Sequence, residues 1–428
     1  MKPVNQRRDF IRKSSLGTLG ITLLPSLYGK VDASDRIRVA HIGVGGMGNN
    51  HIGWFAGLPE AEIVALCDVD ARHLATSLKR LEGLQPGKKV AGYEDFRYIL
   101  ERKDIDAITC ATPDHWHAQI AAMAFQAGKD VYGEKPLSYN VKEGQMMLRE
   151  LHKNNRIFQL GTQIHATDNY HRVAEIIQAG TIGKIHTVRL WKDGVPPVLK
   201  SSGIQRPPSH FNYDFWLGPA PQTPYIPERT HLTYRYFLDY SGGVYADFWC
   251  HIADIAWWAV GPKGLRTIEA RGTIAEGMAD TPGEINIDYE FDNLRMHWTT
   301  KPPDVPGAAE RNIGAYFEGD KGTLICDYET RELTINGEKV TDVPGVAQTI
   351  PRSPGHQQNF VDAVKSRTQP ESNLEYARDM TLPMHLGLIS WRLGRKLQWD
   401  AAREKFIGDS EANKLLTRKA RKKWRLVQ

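Results

Sequence analysis

Asp247, His251 and Asp254 stand four and three residues apart in an apolar, tryptophan-rich run, so on a helix they fall on one face. A neutral imidazole can take up and return a proton at neutral pH, and a neighbouring carboxylate fixes its tautomer. Gly242-Gly243 just before this run and Trp257-Trp258 within it imply a tightly packed, partly apolar site. A second group lies upstream, where Gly133-Glu134-Lys135-Pro136 follows an apolar stretch. Lys135 at a strand end either holds an ammonium over a bound molecule or is a surface lysine before a proline turn; the tetrapeptide alone permits both. A third group is Thr112-Pro113-Asp114-His115-Trp116-His117. Two histidines at i, i+2 with no third ligand paired to them do not make a metal site, so no metal is expected. Asp114 is expected to cap a helix, and the loop is expected to face a ligand.

Gly43-Val44-Gly45-Gly46-Met47-Gly48 follows one apolar run and precedes a helical pattern. In this setting the first glycine permits a tight turn, the second lets the backbone approach a pyrophosphate, and the third lets helix and strand pack closely. Helix N-terminal N–H groups then face the phosphates. Asp68 ends the next apolar run twenty residues after Gly48, where a carboxylate can accept from both ribose hydroxyls. The acid favours NAD over NADP, whose 2′-phosphate it would repel; Arg72, one helical turn on, softens that preference.

The elements that must position these groups alternate in type. Runs at Ile37–Ile42, Glu62–Asp68, Ile105–Ala111, Asp130–Tyr132 and Arg156–Leu160 read as strands apolar on both faces, as in a covered parallel sheet. Ala71–Leu81, His117–Gln126 and Val141–Lys153 read as the helices between them, giving a doubly wound Rossmann-type parallel sheet. Ligands of such sheets sit at the carboxyl ends of the strands, where the Thr112 and Lys135 loops fall. After Gly161 a helix at Tyr170–Ala179 and a strand at Lys184–Lys192 lead into a proline-rich loop from Pro196 to Pro227. Alternating runs at Arg266–Thr273, Glu284–Phe291, Arg295–Thr300, Gly322–Asp327 and Glu332–Ile335 predict an open, mainly antiparallel sheet, with helices again at His356–Lys365 and Glu375–Leu393. The expected fold is therefore α/β with two domains, at 35–160 and 161–428.

Residues 1–33 have the three parts of an export signal. Arg7-Arg8-Asp9-Phe10-Ile11 is a twin-arginine pattern, a short apolar run from Leu16 to Tyr28 follows, and Val31-Asp32-Ala33 offers a cleavage site. The apolar run is too short for a stable anchor. Removing the segment lowers the formal net charge from +5 to about +1, so nothing in the bulk charge points to nucleic acid or membrane. The basic stretch Lys414–Arg425 reads as a solvated terminal helix. The four cysteines, Cys67, Cys110, Cys250 and Cys326, show no paired spacing and read as buried thiols. The expected product is a soluble periplasmic protein.

Together these motifs resemble the Gfo/Idh/MocA oxidoreductases, the glucose–fructose oxidoreductase, inositol dehydrogenase and rhizopine-catabolism family. Gly43–Gly48, Thr112-Pro113, Glu134-Lys135-Pro136 and Asp247-x-x-x-His251 carry the resemblance, with Trp216-Leu217-Gly218-Pro219-Ala220-Pro221 and Gly319-Asp320-Lys321-Gly322; the tail around Gly394–Asp400 is similar to an exported bacterial branch. The resemblance implies hydride transfer between NAD and a sugar or cyclitol carbinol, and a homo-oligomer. It implies Lys135, Asp247 and His251 as the catalytic group. Gly43, Gly45, Gly46, Met47, Gly48, Asp68, Thr112, Pro113, His115, His117, Glu134, Lys135 and Gln163 would hold the cofactor. His165, Trp191 and Arg235, with Asp247 and His251, would line the sugar pocket. One exported relative group implies an alternative, NAD-dependent glycoside cleavage by transient oxidation, elimination, water addition and re-reduction. Twin-arginine export carries folded proteins, so the nucleotide is expected to travel bound.

Overall fold

In the computed structural model, residues 35–340 and 343–425 are described; the twin-arginine segment lies outside them. Residues from Ile37 onward form one compact unit, and its first half is a six-stranded parallel sheet. Its strands are β1 (Ile37–Ile42), β2 (Ala61–Cys67), β3 (Ala91–Tyr93), β4 (Ala107–Cys110), β5 (Asp130–Gly133) and β6 (Phe158–Leu160), in spatial order β3-β2-β1-β4-β5-β6. This is the dinucleotide-binding order, whose crevice opens between the neighbours β1 and β4, where the strand order reverses. Five of six residues of β1 and all of β4 and β5 are buried, because helices cover both faces. Those helices include α1 (Gly46–Ala56), α2 (Ala71–Leu84), α3 (Arg97–Glu101), α4 (Asp114–Gln126) and α5 (Val141–Asn154). Asp70 caps α2 by accepting from Arg72 N at 2.8 Å.

The second half is built on a ten-stranded sheet. After α6 (Asp168–Gln178), strand β7 (Ile185–Lys192) lies at its centre, parallel to β10 (Arg295–Thr299) and antiparallel to β11 (Ile313–Gly319). The remaining pairings are antiparallel, through β8 (Thr267–Ile274) and β9 (Pro282–Glu290) on one side and β12 (Gly322–Cys326), β13 (Arg331–Ile335) and β14 (Glu338–Val340) on the other. Between β7 and β8 come the short helix α7 (Tyr213–Leu217) and the long helix α8 (Gly243–Val260). Helix α8 buries Tyr245, Trp249, Ile252, Ala253 and Ala256 against the sheet and against a later helix. Trp249 Nε1 donates to Met380 O at 2.7 Å, which satisfies the indole inside the core.

The sequence reading located every strand of the parallel sheet except β3, whose three residues carry no periodic signal. It also missed β11, whose buried run Gly314–Phe317 does not alternate. Helix α9 (His356–Ser366) returns to the parallel sheet, where Phe360 and Val361 pack with Ile37 and Val39. Helix α10 (Leu374–Leu393), the hairpin β15 (Leu397–Asp400) and β16 (Lys405–Phe406), and α11 (Ser410–Lys414) complete the chain. No helix among the described residues is long and apolar enough to cross a membrane. All four cysteines are buried and free, as expected.

The terminal stretch is a correction. It is not a solvated helix: α11 ends at Lys414 and the basic residues beyond fold back onto the body. Arg421 Nε donates to Gly218 O at 2.6 Å, and the Arg418 guanidinium lies 3.5 Å over the Tyr139 ring. Trp424 is buried edge-on against Trp116. Asp214, Tyr139 and Trp116 supply the partners the charges and indole need, and these are remote in sequence.

Candidate active site

A cleft opens at the carboxyl ends of β1, β2, β4 and β5. Gly43, at φ 78°, turns the chain out of β1, and a Cβ there would lie 2.8 Å from Ala111 O. A Cβ on Gly48 would lie 1.7 Å from Gly43 O, so that glycine serves helix–strand packing and does not face the cleft. Gly43, Gly45, Gly46 and Met47 line the opening. Asp68 ties the turn down: Val44 N donates to Oδ2 at 2.9 Å and Asp70 N to Oδ1 at 2.9 Å. Asp68 lines the cleft, and each carboxylate oxygen that accepts one of these bonds has capacity for another. A glycine cradle with an acid behind it fits a dinucleotide.

Thr112, Pro113, Glu134 and Lys135 line the middle of the cleft. Glu134 is buried and accepts from His51 Nε2 and Gln163 Nε2, each at 2.9 Å. Burial works to raise its carboxyl, but the His51 contact, Lys135 and Gln163 outweigh it and hold it below the usual range. Gln163 therefore reaches the site through Glu134 and is not itself on the cleft wall.

Lys135 and Asp247 meet although 112 residues separate them. Lys135 Nζ donates to Asp247 Oδ1 at 2.6 Å and to Asp247 O at 3.1 Å. The Arg235 guanidinium stands 3.3 Å from the other oxygen, Oδ2. Burial disfavours all three charges, yet Asp247 holds the Lys135 ammonium above its ordinary value, and Lys135 and Arg235 hold Asp247 far below the carboxylate range. Lys135 is thus a fixed cation. His251 stands one turn past Asp247 on α8 and, unlike Asp247, is not among the residues lining the cleft. Burial, reinforced by the Lys135 charge, lowers its pKa to about 4, so the ring is neutral at neutral pH. Its Nδ1 is buried without a hydrogen-bond partner.

Five sequence expectations need correcting. Asp254 does not support His251; it faces away and pairs with His165 Nδ1 at 2.9 Å and Tyr376 OH at 2.7 Å. His165 is accordingly part of a buried ion pair, stacked on Trp258 at 3.9 Å, and lies off the cleft. Trp191 is wholly buried on β7, its Nε1 donating to Arg311 O at 2.8 Å, so it presents no indole face to a sugar. His115 and His117 are buried staples that do not line the cleft: His115 Nε2 meets Trp216 O at 3.0 Å, and His117 lies between Pro136 O at 2.7 Å and Thr112 O at 2.9 Å. His117 thereby links the two loops that carry Thr112 and Lys135. Asp114 is the first residue of α4 and not its cap; it accepts from Tyr234 OH at 3.0 Å and from Ser241 Oγ.

Sequence reasoning also missed groups. Tyr234, His231 and Leu232 reach the cleft from the long loop after β7, and His73 reaches it from α2. That loop has no periodicity to read. The Trp216–Pro221 segment did carry a signal: a Cβ on Gly218, at φ 48°, would lie 2.0 Å from the Trp116 ring, so this turn seals one side of the cleft.

Two family models match: "Oxidoreductase family, NAD-binding Rossmann fold" over residues 37–162, and "Oxidoreductase family, C-terminal alpha/beta domain" over residues 191–426. The chain belongs to the Gfo/Idh/MocA oxidoreductase family. Within this family it is 28% identical over 307 residues to the myo-inositol 2-dehydrogenase of Thermotoga maritima, covering 70% of this chain and 77% of that protein. It is 28% identical over 200 residues to a "Glycosyl hydrolase family 109 protein" of Shewanella pealeana, covering 42% of this chain but only 44% of that relative. The fold is shared with levoglucosan dehydrogenase in complex with NADH and L-sorbose, at a TM-score of 0.63, 17% identity, 85% of this chain and 99% of that one. It is equally shared with the WlbA dehydrogenase of Bordetella pertussis in complex with NADH and UDP-GlcNAcA, at a TM-score of 0.63 and 18% identity, with the same two coverages.

Proposed function

We propose that this Gfo/Idh/MocA protein is an exported oxidoreductase that moves hydride between a carbinol of a sugar, glycoside or cyclitol and a retained NAD. The observation that carries the reading is the Lys135–Asp247–Arg235 cluster at one end of the cleft, with neutral His251 one turn further along α8. Gly43–Met47 and Asp68 would hold the nucleotide, with Thr112, Pro113 and Glu134 along its nicotinamide half. When bound, NAD supplies a hydride acceptor.

The chain's own groups divide the remaining work. His251 takes the hydroxyl proton as the carbinol is oxidised. Lys135, held as a cation, steadies the negative charge that develops on that oxygen. It is not the base, because Asp247 keeps it protonated. Asp247 and Arg235 offer an acceptor and donors to neighbouring hydroxyls. In this reading residues 1–33 direct twin-arginine export to the periplasm, the nucleotide travels bound, and the enzyme is a homo-oligomer. Free NADH is then not a product, so a second substrate reoxidises the nucleotide in place.

The test incubates purified protein with a panel of sugars, glycosides and cyclitols and follows reduction of bound nucleotide. Reduction without glycoside cleavage supports the proposal. Release of nitrophenol from nitrophenyl glycosides without net reduction would replace it with the redox-neutral glycosidase reading that the family 109 similarity raises. Reduction by no member of the panel overturns it.

A further inference from the structure

Two histidines approach the Asp70 carboxylate at the Asp68 end of the cleft, and a third packs against one of them. Asp70 is buried, and its Oδ1 is occupied by Arg72 N, which leaves Oδ2 facing the imidazoles. His231 Nε2 stands 3.1 Å from Oδ2 and His210 Nε2 stands 3.7 Å from it. His73 packs on His231 with ring centroids 4.6 Å apart. One ligand atom from each of Asp70, His73 and His231 lies within 4.8 Å of the others. Tetrahedral zinc, with bonds of about 2 Å, spaces its ligands by about 3.3 Å, so small side-chain rotations close the set. His73 Nδ1 lies 3.8 Å from Asp68 Oδ1, so that carboxylate stands as a charge beside the ring.

The ligands come from two separate parts of the chain. Asp70 and His73 belong to the start of α2, whereas His231 lies on the 227–236 strap, which also brings Leu232, Tyr234 and Arg235 to the cleft. His210 sits where that long loop is already fastened, through Ala71 N to His210 O at 2.8 Å and Asn212 N to Val69 O at 2.9 Å. An ion on these residues would join strap and helix across the cleft mouth.

We propose that Asp70, His73 and His231 bind a divalent transition metal of the zinc class, with His210 or water at the fourth vertex, and that the ion locks the strap over the adenosine half of the bound nucleotide. The metal site stands by itself; its effect on release rests on the proposal that the cleft holds NAD.

The test starts from chelator-treated protein, otherwise intact. Titration with Co²⁺ should give the intense visible absorption of a tetrahedral site at one equivalent, displaced by Zn²⁺. His73→Ala and His231→Gln should each weaken binding at least about 10-fold, while His186→Ala, on an exposed histidine, should not. Zn²⁺ should slow nucleotide release at least about 10-fold in the parent protein and leave His231→Gln unchanged. Weak octahedral cobalt binding that His231→Gln does not alter overturns the site. A normal cobalt titration with zinc-independent release overturns the lock. A normal titration on protein that binds no nucleotide overturns the NAD reading and with it the lock, and leaves the metal site standing.

Discussion

At the residue scale, Lys135 and His251 have opposite protonation states set by their surroundings. Lys135 beside Asp247 stays charged, and partly buried His251 stays neutral down to about pH 4. Lys135→Ala and His251→Ala should each lower turnover by about two to four orders of magnitude with the fold intact by circular dichroism; a near-normal rate in either removes that residue from the chemistry. The acid limb of kcat/KM should lie near pH 4, where His251 gains its proton and stops acting as a base. An acid limb near pH 6.5 would mean that His251 is not the group titrating. Asp247 and His251 were legible because i, i+4 spacing alone puts them on one face. Asp254 satisfied the same spacing and still points elsewhere, since His165 and Tyr376 offer it a buried cation and a hydroxyl that sequence cannot bring together.

At the element scale, the parallel sheet was readable because its strands are uniformly apolar and separated by helical periods. The glycine fingerprint was readable because Gly43 and Gly48 answer backbone contacts that leave no room for a Cβ. His115, His117 and Trp191 were misassigned for a common reason. Their neighbours place them near strand ends, but Trp216 O, Pro136 O and Arg311 O turn each into a buried staple. The terminal stretch shows the same limit, because its partners lie about 200 to 310 residues upstream. Truncation after Thr417 should therefore cost stability, with loss of the buried Trp424 contributing about 3 kcal/mol. The denaturant midpoint reads this, and an unchanged midpoint would mean that the docked tail does not contribute to folding.

At the scale of the whole molecule, buried histidines set the response to acid. Burial lowers the pKa of His251 and His356 to about 4 and of His385 to about 3. Below about pH 6.5 the unfolded chain binds protons these rings refuse, so stability falls as pH drops toward 4. His165 acts in the opposite sense. Burial opposes its charge, but Asp254 and Glu371 push its pKa up to about 9, so its contribution is full below about 6.5 and is lost as pH rises through 9. Thermal midpoints across pH 4 to 10 should peak near about pH 6.5, and a midpoint unchanged from pH 7 to 4.5 contradicts this assignment. Export and retention of cofactor join these properties into one proposal, a closed redox cycle on a bound nucleotide. Its most direct test mixes purified protein, with no added NAD, with the carbohydrate and cyclitol panel, and follows bound-nicotinamide absorbance before denaturing the sample for mass spectrometry. The account predicts NAD released from the untreated protein and one equivalent of bound NADH formed with a substrate, lost in Lys135→Ala. Protein that carries no nucleotide, or bound NAD that no carbinol reduces, would contradict it.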